Sequence, residues 1–305
     1  MKGAMMAACA ALILPVMSSL GQGAAPAAKP PAAPKPLPTV SAEDAAKIGG
    51  LIGNALRAKP AKPRKVLVFS KCEGFVHGDG IVYGNKALEV AAAQTGAFQA
   101  DFSTDYAALD DRKNLFGYDA VVLNNTTRLK TQEHPLLVPN LIEFVKSGRG
   151  LCVIHAGADN FYEAPEAAEL VGGQFDGHPW GGGGTWAFKL DDPSHPLNQA
   201  FAGKGFKAGD EIYQQKSPFY DRAKLHVLVS LDLSDEKTAA AKGQKRADRD
   251  FAVSWVRAFG AGRVFYTSFA HDKRTYLDPA RLAHILDGLQ YTLGDLQADD
   301  KPVTK

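Results

Sequence analysis

Between residues 65 and 171, short apolar runs alternate with helix-length segments. This alternation restricts the fold more than any other feature of the chain. Lys65-Val66-Leu67-Val68-Phe69-Ser70 is apolar throughout and then enters a polar loop, as a strand buried on both faces does. Residues 81–95 read as a helix stopped by Gly96, and residues 98–102 as a second strand. Residues 118–124 read as a third strand, 135–147 as a helix ended by Gly148, 150–155 as a fourth strand and 159–171 as another helix. Strand alternating with helix predicts an α/β fold with a mostly parallel sheet and helices on both faces. Farther on, residues 186–190, 225–231, 251–257 and 262–268 look like strands, and 279–293 like a closing helix. Residues 237–250 are polar and Ala-rich and read as a surface insertion.

Upstream of this pattern the composition changes. Lys2, the apolar run 4–16 and the small residues Ser18, Ser19, Gly21 and Gly23 predict a signal peptide over 1–23. That implies an exported protein, periplasmic or extracellular. Residues 24–63 form an Ala/Pro-rich linker with a short helix over 42–58, which Ser41 can cap. The folded domain is expected over 64–295, followed by a polar tail at 296–305. Export would allow Cys72 and Cys152 to pair, but two buried thiols fit the sequence equally well. Hydrophobic content of 45%, charged content of 22% and a net charge of +2 suit a soluble globular domain. The Lys and Arg residues are scattered, so no basic face for nucleic acid is expected.

In parallel sheets ligands bind beyond the carboxyl ends of the strands. His77 lies in the loop after the first strand, His155 ends the fourth, and His271 follows the last apolar run as Phe269-Ala270-His271-Asp272. His178 and the pair Asp210-Glu211, just ahead of Tyr213, come from loops. Histidine suits metal ligation through a neutral ring nitrogen, and equally general acid–base work. His77, His155, His178 and His271 are the candidate ligands for a divalent metal such as zinc. His155, Glu211, His77 and His271 are the candidate catalytic groups. No His-Glu-x-x-His motif is present. His134 and His195, each before proline, read as structural, and His226 and His284 as packing or surface residues.

Cys152 lacks the glycines of a nucleophile elbow, so the turn residue is expected to be His155 or a neighbour. The run Gly181-Gly182-Gly183-Gly184 lacks the Lys-Ser or Lys-Thr of a phosphate loop, so no nucleotide cofactor is expected. It reads instead as a flexible loop over the cleft, flanked by Trp180 and Trp186. Trp180, His178, Tyr213 and Asp210 are the candidate substrate contacts, since aromatic faces suit sugar rings.

These residues together resemble the trehalose-utilisation, or ThuA-like, family. The likeness rests on residues 65–70 with His77, on Ile154-His155-Ala156, on residues 172–178, on His195-Pro196 and on Asp210-Glu211-Ile212-Tyr213. It continues through Val253-Ser254-Trp255 and residues 262–268 to His271. The chain departs from the family pattern where Phe269-Ala270 stands for Leu-Gly and Ser254 for Ala. The resemblance implies a flavodoxin-like, three-layer fold similar to class I glutamine amidotransferases, without their catalytic triad. It also implies carbohydrate metabolism, often beside sugar dehydrogenases that make 3-keto-glycosides. The expected function is a hydrolase, lyase or isomerase acting on a glycoside or keto-sugar, with or without a metal. The alternative is a non-catalytic periplasmic carbohydrate-binding protein that relies on Trp180, Trp186, Tyr213 and Phe219.

Overall fold

A computed structural model describes Met1 and residues 36–53 and 56–303. The expected signal peptide and most of the Ala/Pro-rich stretch lie outside the described residues. Residues from Leu37 onward form one packed unit. Its strands are β1 (Lys65–Phe69), β2 (Gln99–Ser103), β3 (Ala120–Asn124), β4 (Gly150–Ile154), β5 (Thr185–Leu190), β6 (Phe206–Gly209), β7 (His226–Leu231), β8 (Ala252–Phe259) and β9 (Gly262–Thr267). The longer helices are α1 (Ala42–Ile52), α2 (Gly78–Thr95), α5 (Leu137–Lys146), α6 (Pro165–Val171) and α9 (Pro279–Thr292). Four short ones are α3 (Ala107–Asp110), α4 (Arg112–Leu115), α7 (Glu236–Ala239) and α8 (Lys273–Tyr276). None of the described helices is long and apolar enough to cross a membrane.

All nine strands join one sheet in the order β2-β1-β3-β4-β9-β8-β7-β5-β6. The pairings β1–β2, β1–β3, β3–β4 and β4–β9 are parallel. The pairings β5–β6, β5–β7, β7–β8 and β8–β9 are antiparallel. The sheet is therefore mixed, not mostly parallel as expected. One cause is local: Gly260, at φ +63, and Ala261 turn β8 straight back onto β9, so Phe259 faces Gly262. Of the remaining antiparallel pairings, β5–β6 and β7–β8 join consecutive strands and β5–β7 skips one, and apolar patterning carries no strand direction.

In the parallel half, side chains alternate between two cores. Val66, Val68, Ala120, Val122, Cys152 and Ile154 pack with α1, α2 and α9. Leu67, Phe69, Val121, Leu123, Leu151 and Val153 pack with α5 and α6. Helices thus cover both faces, which explains why β1, β3 and β4 are almost wholly apolar. The segment expected as a linker contributes to the first core, since Ile48 and Ile52 of α1 are fully buried. The expected polar tail is also attached: Tyr291 donates to Asp300 Oδ2 at 2.8 Å, and His195 Nε2 meets the Asp299 carbonyl at 2.9 Å. The expected surface insertion is docked too. Thr238 is buried, and its carbonyl accepts the Trp180 indole N–H at 2.9 Å.

One predicted helix is shorter than its pattern suggests. Of residues 159–171, only Pro165–Val171 is α-helical. The Asn160 amide draws the preceding stretch out of helix: it accepts from Leu129 N and donates to the Thr126 carbonyl. The chain runs from β1 to β2 on one side and from β3 to β4 on the other, so the loops after β1 and β3 diverge. A crevice at the carboxyl edge of the sheet follows from that divergence.

Candidate functional site

His155 takes the strand-to-helix turn after β4, as expected. It opens a short 3-10 helix (His155–Ala158) at φ +48, a left-handed conformation uncommon for a non-glycine residue. Its Nδ1 lies 2.7 Å from the Ser268 carbonyl, which fixes that nitrogen as the donor. Nε2 is left with a free lone pair; it is buried and without a hydrogen-bond partner. His77 precedes the first turn of α2, and its ring packs edge-on to those of His155 and His271, with centroids 4.9 and 5.3 Å away. His271 follows β9, and its Nδ1 lies 3.4 Å from Asp272 Oδ2.

Glu211 sits among these rings. Its Oε1 is 3.9 Å from His77 Nε2 and 3.7 Å from His155 Nε2. Its Oε2 is 3.4 Å from His178 Nδ1 and 3.9 Å from His271 Nε2. Most of these separations are longer than direct hydrogen bonds, so the carboxylate lies central to the nitrogens rather than paired with one of them. Ligand atoms of His77, Glu211 and His271 lie within 4.8 Å of one another. That donor set suits a zinc-like ion. The lone pair of His155 Nε2, its tautomer already set by Ser268, points to the same fit. His178 is different, since its half-exposed ring stands at the rim.

The electrostatics are uneven around the carboxylate. Burial pushes the His77 pKa down to about 4; the other histidines reinforce this, and the nearby Glu211 only partly offsets it. For His271 burial acts in the same direction, but the Asp272 contact and the charges of Glu211 and Asp210 prevail and raise its pKa. Burial alone would raise the Glu211 pKa. The approach of His155 and His77, and then of His271, instead holds it well below the usual carboxylate range. Burial, with the Glu211 charge, pushes the Tyr213 phenol far up, so its hydroxyl keeps its proton. That hydroxyl is 3.3 Å from His77 Nε2. Neighbouring groups with opposite shifts are what acid–base chemistry needs.

Of the expected substrate contacts, Tyr213 and His178 reach the cluster and two do not. Trp180 is fully buried against Phe251, so its face is closed to any ligand. Asp210 is a buried brace. Its Oδ1 accepts from Glu211 N and His271 N, and its Oδ2 from Ala270 N and Thr275 Oγ1. It thereby joins the loop bearing Glu211 to the one bearing His271. The Gly-rich loop does lie over the site, with the position of a Gly182 Cβ 3.1 Å from His271 Nδ1. Cys152 is buried within β4, and it and Cys72 are free thiols, so Cys152 is no exposed nucleophile. His134, His195, His226 and His284 all make structural contacts away from Glu211.

Sequence reasoning missed Phe75, Asp159 and Tyr162. Phe75 is 68% exposed, and its ring lies 4.8 Å from that of His77. Asp159 bonds the Tyr162 hydroxyl and pairs with Arg128. A large aromatic two residues before a candidate histidine was the available signal for Phe75. Asp159 and Tyr162 looked like helix residues and gave none.

No curated protein matches the chain. Among solved structures, a ThuA-like protein from Bacteroides uniformis ATCC 8492 is 19% identical, with a TM-score of 0.60 over 78% of this chain and 93% of that one. A ThuA-like protein from Parabacteroides merdae ATCC 43184 is 17% identical, with a TM-score of 0.56 over 80% of this chain and 93% of that one. At such identities the likeness establishes the fold alone. The family profile described as ThuA, trehalose utilisation, matches residues 65–292, which run from β1 to the end of α9 and include every histidine of the cluster, and the chain belongs to that family.

Proposed function

We propose that this chain is an exported carbohydrate-processing enzyme, a hydrolase, lyase or isomerase acting on a glycoside or keto-sugar. The observation that carries the reading is Glu211, whose carboxylate has four histidine nitrogens within 3.4–3.9 Å. The family's description, trehalose utilisation, supports a carbohydrate as substrate. The N-terminal apolar run supports export. The parallel half with helices on both faces supports likening the architecture to flavodoxin-like amidotransferases. The burial of Cys152 argues against their glutaminase chemistry. A pure binding module is disfavoured because Trp180, one of the four aromatics it would rely on, is closed off in the core.

We favour a metal-assisted form. His77, Glu211 and His271 would hold a divalent ion such as zinc, with His155 Nε2 beside them. The ion would supply Lewis-acid polarisation of a carbonyl or an activated water. Around it, Tyr213 orients the substrate with its protonated hydroxyl, and His178 guards the entrance. In the metal-free form Glu211 and a histidine exchange the proton on carbon next to a carbonyl. Elemental analysis of the purified protein separates the two. The metal form predicts a stoichiometric divalent ion that His271→Ala loses, and turnover abolished by chelators and restored by zinc. Metal-free protein whose turnover survives chelation overturns it.

A further inference from the structure

A cavity of about 330 Å³ opens among residues 128–133 and 161–163. Its volume is at the small end of the range for small-molecule sites, about 300–1,000 Å³. Asp159 ties this cavity to the histidine cluster. It lies four residues after His155, pairs with Arg128 Nε at 3.3 Å and bonds the Tyr162 hydroxyl. The Arg128 guanidinium lies 4.3 Å from the Tyr162 ring centre, yet Tyr162 remains 38% exposed. A second link runs through Phe75. The Arg128 side chain comes within 2.6 Å of where a Gly74 Cβ would sit, and Phe75 follows directly, its ring against His77. Arg128 and Tyr162 thus line the cavity and, through Gly74 and Asp159, adjoin the loops that carry His77 and His155.

The backbone under this rim is constrained. Arg128 and Phe161 are non-glycine residues at φ +52 and +62. Each such residue costs on the order of 1–3 kcal/mol and persists only where its surroundings enforce it. Here Asn160 enforces it by bonding Leu129 N and the carbonyls of Thr126 and Gly157.

We propose that this cavity is the subsite for a second sugar ring, so that the substrate is a disaccharide or larger glycoside whose reacting ring lies at the histidines. The inference rests on the carbohydrate reading and deepens it. The lining carries two cations, Arg128 and Lys130, and two anions, Glu133 and Glu163, so it holds no excess charge. A neutral polyol fits that balance better than an ion does. The Tyr162 ring, 38% exposed beside Arg128, offers aromatic surface to the C–H side of a sugar ring.

NMR titration of the intact protein with trehalose and cellobiose, and with methyl glucoside as the one-ring control, tests this. Both disaccharides are expected to bind more tightly than methyl glucoside. Tyr162→Ala is expected to weaken disaccharide binding by about 3- to 10-fold, the loss of one aromatic contact, and to leave methyl glucoside unchanged. Tyr162→Phe keeps the ring and is expected to keep the preference, which separates the ring's role from general damage to the fold. Equal affinity for one and two rings, equal loss for both, or Tyr162→Phe behaving like Tyr162→Ala overturns the subsite while the carbohydrate reading stands. Failure to bind any of the three sugars overturns the subsite, while conversion of a keto-sugar would leave the carbohydrate reading standing.

Discussion

Ala270 has φ +86 immediately before His271, in the left-handed region that favours glycine. It is held there from both sides. Its N–H donates to Asp210 Oδ2 at 3.1 Å, and its carbonyl accepts from Asn125 Nδ2 at 3.3 Å. These bonds aim His271 at Glu211, so the strain serves the site. Glycine adopts this conformation without the Cβ clash, and Ala270→Gly is expected to stabilise the protein by about 1 kcal/mol. Urea unfolding measures this, and a variant no more stable than the parent contradicts it. His77, His155 and His271 were readable in the sequence because each follows an apolar strand, and strand ends of one parallel sheet converge. The parts played by Asp210 and Trp180 were not. Whether a carboxylate lines a site or braces a turn, and whether an indole faces solvent or core, depends on neighbours distant in sequence.

At the scale of elements, the entry to α2 sets the distance between His77 and the loop after β9. Gly80, in the first turn, packs so closely that an added Cβ would lie 2.6 Å from the Ala270 carbonyl and 2.9 Å from that of His271. Both neighbours are backbone and cannot swing aside. Gly80→Ala is therefore expected to cost about 1–3 kcal/mol of stability, as overpacking does, and to reduce activity by parting His77 from His271. Wild-type stability and turnover in this variant would contradict that account. The parallel strands and the helices between them were legible because their periodicity is local. Strand β6, with its short and partly exposed pattern, was not. Nor was the antiparallel half: most of its paired strands are consecutive in the chain, but apolar patterning carries no strand direction.

In the whole molecule, the site exists only because segments ending at His77, His155, Glu211 and His271 meet at one edge of the sheet. Helix α1 and the C-terminal segment hold the face that carries α2 and α9. Ile48 and Ile52 are buried there, and Arg57 Nε pairs with the buried Asp287 at 2.9 Å. The central claim is that Glu211 is the working centre of this convergence. Conversion of 3-keto-trehalose and 3-keto-glucose, followed by ¹³C NMR for the wild type and for Glu211→Gln, tests it most directly. Glutamine keeps the shape and removes the charge. The account predicts conversion by the wild type and a loss of roughly 100-fold or more in the variant, with the fold intact. Turnover in Glu211→Gln within twofold of the wild type, or a wild type that converts neither sugar, would contradict it.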